Sequence, residues 1–244
     1  MAILNATPDS FSDGGRLAQD LDGRIRAAVD AGADLLDVGG ESTRPGHVPV
    51  AAEEELRRVL PVVAACRRLA PGIPISIDTS KAAVARAALD AGVAFVNDVS
   101  GLRDPALAAV VRDAGCAVVL MRNRPLLGDP VAACKAELAG LVARARAAGI
   151  PDDAIVLDPG LGFGDPPGGD VAANFALLRG VHDYAQGFLV LVGASRKRFL
   201  AQGESVPARR VAASVDAAVQ AVLAGASIVR VHDVKETVDA LRAL

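Results

Sequence analysis

ISIDTSKAAVARAALDAGVAFVNDVSG, residues 75–101, holds two short apolar runs, ISID and FVNDV, separated by an alanine-rich stretch. Both runs are continuous rather than alternating and rich in β-branched residues, as strands buried on both faces are. Strand, helix, strand is the βαβ unit, which joins parallel strands. The same kind of run recurs at AILN (2–5), DLLDVG (34–39), AVVLM (117–121), AIVLD (154–158), LVLVG (189–193) and SIVRV (227–231). Between the runs, apolar residues fall at helical spacing, as at Leu21, Ile25, Ala28 and Val29 and again at Leu56, Val59, Leu60 and Val63, with charges on the other face. Eight such units predict an α/β fold, a (β/α)8 TIM barrel whose active site lies at the C-terminal ends of the strands. A doubly wound open sheet is the alternative, because strand order is not written in one sequence.

The 244 residues are 52% hydrophobic and 23% charged, enough apolar content for a sizeable core and too little charge for disorder. No Pro/Ser-rich linker divides the chain, so residues 1–244 are read as a single domain. A net charge of -3 gives no electrostatic footprint for nucleic acid or an anionic membrane. The first residues lack a basic, then apolar, leader, and no apolar run approaches a membrane span. Cys66, Cys116 and Cys134 form no CxxC pair and are read as reduced packing residues. Together these features predict a cytoplasmic protein that binds neither nucleic acid nor membrane.

The strand ends carry the chemistry. Asn5, Asp37, Asp78, Asn97 with Asp98, and Asp158 close the first, second, third, fourth and sixth runs. Ser195 to Lys197 follow the seventh, and Arg230 and His232 end the eighth. Taken singly, each Asp or Asn is read as a helix cap or turn former. Taken together, a closed barrel aims them at a common axis and makes one pocket of them. Asp78, Asn97 and Asp158 offer acceptors and an amide to a flat heterocycle rich in N–H donors, and Lys197 can donate to a ring oxygen or nitrogen. Arg230 and His232, two apart on one strand, share a face and with Asn5 suit phosphates, the bland alternative for RVHD being a surface ion pair with a neighbouring carboxylate.

His47, His182 and His232 stand in no HExxH or paired spacing, which argues against zinc. A Mg2+ ion shared with a diphosphate needs few protein groups, and Asn5 is the best candidate ligand. No GxGxxG, GxxxxGK[ST] or GxSxG element is present, so dinucleotide, P-loop and hydrolase-elbow readings lose their support. Gly-rich clusters at 10–15, 39–49 and 162–170 follow strands and are read as mobile loops over the site.

These stretches, ILNATPDSFSDGG (3–15), DLLDVGGESTRPG (34–46), ISIDTSK (75–81), FVNDVSG (95–101), VVLM (118–121), IVLDPGLGFG (155–164), LVGASRKRFL (191–200) and IVRVHDV (228–234), strongly resemble the dihydropteroate synthases. The resemblance implies a transferase of folate biosynthesis that condenses 6-hydroxymethyl-7,8-dihydropterin diphosphate with p-aminobenzoate, with Mg2+ as cofactor, in a homodimer built through late helices such as 208–224. It implies that Asp78, Asn97, Asp158, Lys197 and Gly193 hold the pterin between Met121 and Phe163. It implies further that Asn5, Arg230 and His232 bind the diphosphate, with Asn5 on the metal, and that Thr43, Arg44, Pro45 and Ser195 shape the aminobenzoate pocket. Asp78, Lys197, Arg230 and His232 are the expected catalytic residues, and loops 7–15 and 40–46 are expected to close over the site.

Three places depart from the family. Its usual MHM gives way to Met121, Arg122 and Asn123 with a shortened following stretch, and Arg122 is read as pointing outward into solvent, the alternative being an extra phosphate contact. Asp165 stands where the family often has a lysine, before a small insertion through PPGGD. The first strand opens almost at residue 1, which suggests a thinner barrel floor or a trimmed start. The altered fifth strand supports a rival reading, a catalytically impaired pterin-binding paralogue. A methyltetrahydrofolate:corrinoid methyltransferase is a further alternative, disfavoured by STRPG, SRK and RVHD.

Overall fold

The computed structural model describes residues 1–6, 17–41, 49–163, 170–201, 205–206 and 209–244, with side chains from residue 21 onward in the first helix. Eight strands run parallel in chain order: β1 (Ala2–Asn5), β2 (Leu36–Gly39), β3 (Ile75–Asp78), β4 (Phe95–Asp98), β5 (Ala117–Met121), β6 (Ile155–Asp158), β7 (Leu189–Val192) and β8 (Ile228–Val229). A parallel bridge between Ala2 and Val231, with Ile3 N–H donating to the Val231 carbonyl at 3.0 Å, joins the last strand to the first. The ring is therefore closed, and the open doubly wound sheet is excluded. The helices are α1 (Leu17–Asp30), α2 (Ala52–Leu69), α3 (Ala82–Asp90), α4 (Pro105–Ala114), α5 (Pro130–Ala147), α6 (Val171–Arg179), α7 (Val181–Ala185), α8 (Val211–Leu223) and α9 (Val234–Leu241).

Local chemistry sets several helix starts. Asp104, Asp129 and Asp170 accept hydrogen bonds from the backbone N–H of Ala106, Ala132 and Ala173, which otherwise lack intrahelical partners. Pro105 and Pro130 then occupy first-turn positions where no N–H is needed. The expected helical faces pack inward, with Ile25, Val59 and Val63 buried.

Strand residues alternate between two environments. Leu36, Val38, Ile77, Val96, Val118, Leu120 and Leu157 face the helices and form the larger core. Met1, Phe95, Val119, Val156 and Leu191 form a second cluster on the opposite strand face, filling the barrel floor. Two residues further along each strand, the same inward face turns polar. Phe95 is followed by Asn97, Val156 by Asp158, Ile228 by Arg230 and Ser76 by Asp78, while Val119 is followed by Met121. The period-two strand places the apolar plug below and the functional groups above it.

Candidate active site

The buried centre of this upper layer is an ion-pair cluster on Arg230. Its Nε donates to Asp37 Oδ2 at 2.6 Å and its Nη2 to Asp78 Oδ2 at 2.8 Å. Asn97 Nδ2 approaches the same Asp37 oxygen at 3.3 Å. The ion-pair alternative for RVHD is thus correct in kind, but the pair spans the barrel mouth rather than the surface. Asp37, wholly buried, is the strand end to which sequence reasoning gave no role. Its Oδ1 is buried with no hydrogen-bond partner among the described residues.

Burial pushes the Asp78 carboxyl up to about 7 against the opposing pull of Arg230, and the neighbouring carboxylates of Asp37, Glu55 and Asp98 push the same way. Across the mouth, burial pulls the Lys197 ammonium down to about 8, although Asp158 works to hold its proton. Asp158 is raised by burial and eased back by Lys197 and by the Gly160 N–H, which donates to its Oδ1 at 2.7 Å. Lys197 Nζ hydrogen-bonds the Leu161 carbonyl and sits 4.5 Å from the centre of the Phe163 ring, a cation–π contact.

Ser195 and His232 form a pair: the His232 N–H donates to Ser195 Oγ at 3.1 Å, and the same hydroxyl lies 3.0 Å from His232 Nδ1. Ser195, expected beside the aminobenzoate, thus also holds His232. Between them in sequence, Arg196 turns away, clasping Asp233 through its Nε at 3.0 Å. Asn5 is half-buried at the end of β1, Met121 is buried, and a methyl group at Gly193 would meet only Arg230 Cβ, at 3.9 Å. Asp98 follows its turn reading, accepting the N–H groups of Ser100 and Leu102 at 2.7 and 2.6 Å. Thr43, Arg44, Pro45 and Asp165, with the rest of loops 7–15 and 42–46, lie outside the described residues.

Arg122 corrects the sequence reading. It is 2% exposed, and its guanidinium donates from Nε to the Pro159 carbonyl at 2.8 Å and from Nη2 to the Gly160 carbonyl at 3.1 Å. The loop after β6 presents carbonyls that no strand satisfies, and a planar five-donor group answers them. The outward, solvated placement does not occur.

A second group escaped sequence reasoning. Glu55, inside the charged run AEEELRR of α2, is wholly buried, and Lys81 donates to its Oε2 at 2.5 Å and also bonds Glu41. A methyl group at Gly40 would lie 2.7 Å from Val59 Cγ1 and 2.9 Å from Glu55 Cγ, so a glycine lets β2 leave the barrel close against α2. Glu41, Glu55, Asp78, Thr79, Arg103 and Phe163 line a cavity of about 330 Å³ beside Asp78.

A closed barrel with convergent acids and cations at its strand C-terminal ends has the build of an enzyme that binds a polar small molecule there. The chain belongs to the family of pterin binding enzymes, whose profile matches residues 1–232. It is 45% identical to a dihydropteroate synthase of Mycobacterium leprae, over the whole chain and 91% of that protein. It is 44% identical to a probable bifunctional folylpolyglutamate synthase/dihydropteroate synthase of Haloferax volcanii, and there it spans only 30% of the relative's length. Among solved structures, a Xanthomonas albilineans dihydropteroate synthase with 4-aminobenzoic acid superposes with a TM-score of 0.92 at 43% identity, covering the whole chain and 90% of that structure.

Proposed function

We infer that the protein is a dihydropteroate synthase, joining 6-hydroxymethyl-7,8-dihydropterin diphosphate to p-aminobenzoate with release of pyrophosphate. The observation that carries this reading is the division of the barrel mouth. Asp158 and Lys197 stand together as acceptor and donor, while Arg230 stands with Asp78 and Asp37. A pterin edge offers ring and amino N–H groups to Asp158 and Asn97, and its ring oxygen or nitrogen accepts from Lys197. Met121 and Phe163 supply apolar walls, and Gly193 leaves room beside the ring.

The diphosphate then lies toward Arg230 and His232, the latter oriented by Ser195. The C–O bond at the pterin methylene breaks with its electron pair leaving on the diphosphate, whose charge the Arg230 guanidinium neutralises and to which His232 offers a ring nitrogen. The methylene cation is delocalised into the dihydropterin ring, where the Asp78 carboxylate stabilises it. The amine nitrogen of p-aminobenzoate forms the new C–N bond and gives up a proton to solvent or to the departing pyrophosphate. Exclusion of the water that competes for the cation is the part the resemblance assigns to loops 7–15 and 40–46, with Thr43, Arg44 and Pro45 at the aminobenzoate.

Mg2+ fits this donor set as an ion held chiefly by the diphosphate and water: Asn5 offers one amide oxygen at the rim, and the described residues contain no cluster of three or more ligating side chains. When bound, it supplies further neutralisation of the leaving oxygens. No described helix is long and apolar enough to cross a membrane, and the three cysteines are free, which supports placement in the cytoplasm. A homodimer through the late helices, 208–224, is what the family resemblance implies.

Arg122 packs beneath the loop after β6 rather than lining the cavity, whereas Asn123 beside it does line the cavity, so the impaired-paralogue reading is decided by activity. The test is incubation of the protein with dihydropterin diphosphate, Mg2+ and p-aminobenzoate, with the product identified by mass. Dihydropteroate formed in proportion to the amine supports the synthase. Tight pterin binding with no condensed product overturns it in favour of the paralogue, and methyl transfer from methyltetrahydrofolate to a corrinoid overturns it in favour of the methyltransferase.

A further inference from the structure

The backbone N–H of Arg122 donates to the Asp158 carbonyl at 3.0 Å, so its side chain leaves β5 alongside the very residue that ends β6. From there the guanidinium takes the Pro159 and Gly160 carbonyls and also bonds the Arg124 carbonyl, tying its own loop to its neighbour's. The two carbonyls it holds after β6 belong to the segment that carries the site contacts. The Gly160 N–H donates to Asp158 Oδ1 at 2.7 Å, the Gly160 carbonyl accepts from Phe163 N–H at 3.1 Å, and the Leu161 carbonyl accepts from Lys197 Nζ. The approach is tight: a Cβ on Gly160 would fall 1.9 Å from the Arg122 carbonyl oxygen, and its φ of +65° is one that other residues rarely adopt. Asn174 of α6 closes the far end, accepting from Gly162 N–H at 2.6 Å.

We propose that Arg122 is a positioning residue for pterin recognition, its buried guanidinium fixing the loop after β6 so that Asp158, Lys197 and Phe163 meet the ring at the right places. The inference rests on the pterin reading of that site. A histidine, usual here in the family the sequence resembles, has two ring nitrogens and cannot satisfy three carbonyls at once. Arg122 also adds positive charge beside Lys197, which faces Asp158, Asp78 and Arg230 as well, and so helps pull its proton off. The residue that departs from the family pattern thus acts through the loop rather than on the substrate.

The experiment compares the parent with Arg122→Met, Arg122→Lys and Arg122→His in the full chain. Dihydropterin diphosphate affinity, KM for each substrate, and amide exchange at Gly160 and Gly162 without ligand are measured for each. Loss of a charged, buried hydrogen-bonding fork predicts that Arg122→Met weakens pterin binding about tenfold or more, while KM for p-aminobenzoate changes less than about threefold. Exchange at both glycines speeds up, and the basic limb of the pterin-binding pH profile moves upward as Lys197 loses a neighbouring cation. Arg122→Lys keeps the charge without the fork, so it folds, restores the limb and recovers only part of the affinity. If Arg122→Met fails to fold, Arg122→Lys and Arg122→His carry the comparison. Pterin affinity within twofold of the parent in any folded variant, or equal losses for both substrates, overturns the proposal. If the parent itself binds no pterin, the pterin reading fails and takes the proposal with it, whereas unchanged glycine exchange in the variants refutes only the positioning by Arg122.

Discussion

Burial is the largest cause that raises the Asp78 carboxyl and lowers the Lys197 ammonium at the mouth. The carboxyl is raised to about 7 and must be ionised to stabilise a cation, so kcat/KM for the pterin rises as pH rises through that value. The ammonium is lowered to about 8 and must be protonated to donate, so kcat/KM falls as pH rises through that value. A narrow bell is expected in steady-state kinetics, and Lys197→Arg, which cannot lose its proton in this range, lacks the basic limb in whatever activity it keeps. The same depressed pKa means that Lys197 contributes stability only above the ordinary lysine range and that this is lost as pH falls through about 8. At neutral pH the ligand-free fold bears the strain of a buried ammonium for the sake of binding. The strand-end residues were legible because Asp, Asn and Arg interrupt otherwise apolar runs. The partners of Arg122 were not, because the carbonyls it satisfies lie on another loop and no side-chain pattern marks them.

The elements hold these residues through contacts that differ in how visible they are in sequence. All eight strands fall within the predicted runs, since burial on both faces writes itself as an uninterrupted apolar stretch. Glu55 was hidden because AEEELRR reads as a solvated helix face, and only the packing of α2 against β2 and α3 turns one of its three glutamates inward. Lys81→Met leaves that carboxylate buried with neither oxygen satisfied, and an urea titration is expected to find a loss of about 3–5 kcal/mol. Adding Glu55→Gln to it recovers most of the loss, whereas no recovery would mean that the pair is not the cause. Asp129→Ala removes the cap of α5 and is expected to lower stability by about 1 kcal/mol in a urea titration.

At the scale of the whole molecule, closure of β8 onto β1 brings Arg230 to Asp37 and Asp78, whose sequence separations from it are 193 and 152 residues. The count of eight units implied that closure, but the specific triangle of Asp37, Asp78 and Arg230 depends on the relative register of strands, which one sequence does not contain. A site built this way is destroyed by anything that opens the ring and is spared by changes at helix positions other than those, such as Glu55 of α2 and Asn174 of α6, that reach the mouth or its loops. In the proposed reaction the convergent rim, with Asp78 at its heart, drives departure of diphosphate and capture of the cation by an amine. The most direct measurement is single-turnover pyrophosphate release from dihydropterin diphosphate with Mg2+ and p-aminobenzoate, in the parent and in Asp78→Asn, alongside pterin affinity. The parent is expected to release one equivalent per site and yield dihydropteroate, and Asp78→Asn to slow by about 100-fold or more while binding pterin within about tenfold of the parent. Equal rates in the two proteins, or no amine-dependent release by the parent, would contradict the account.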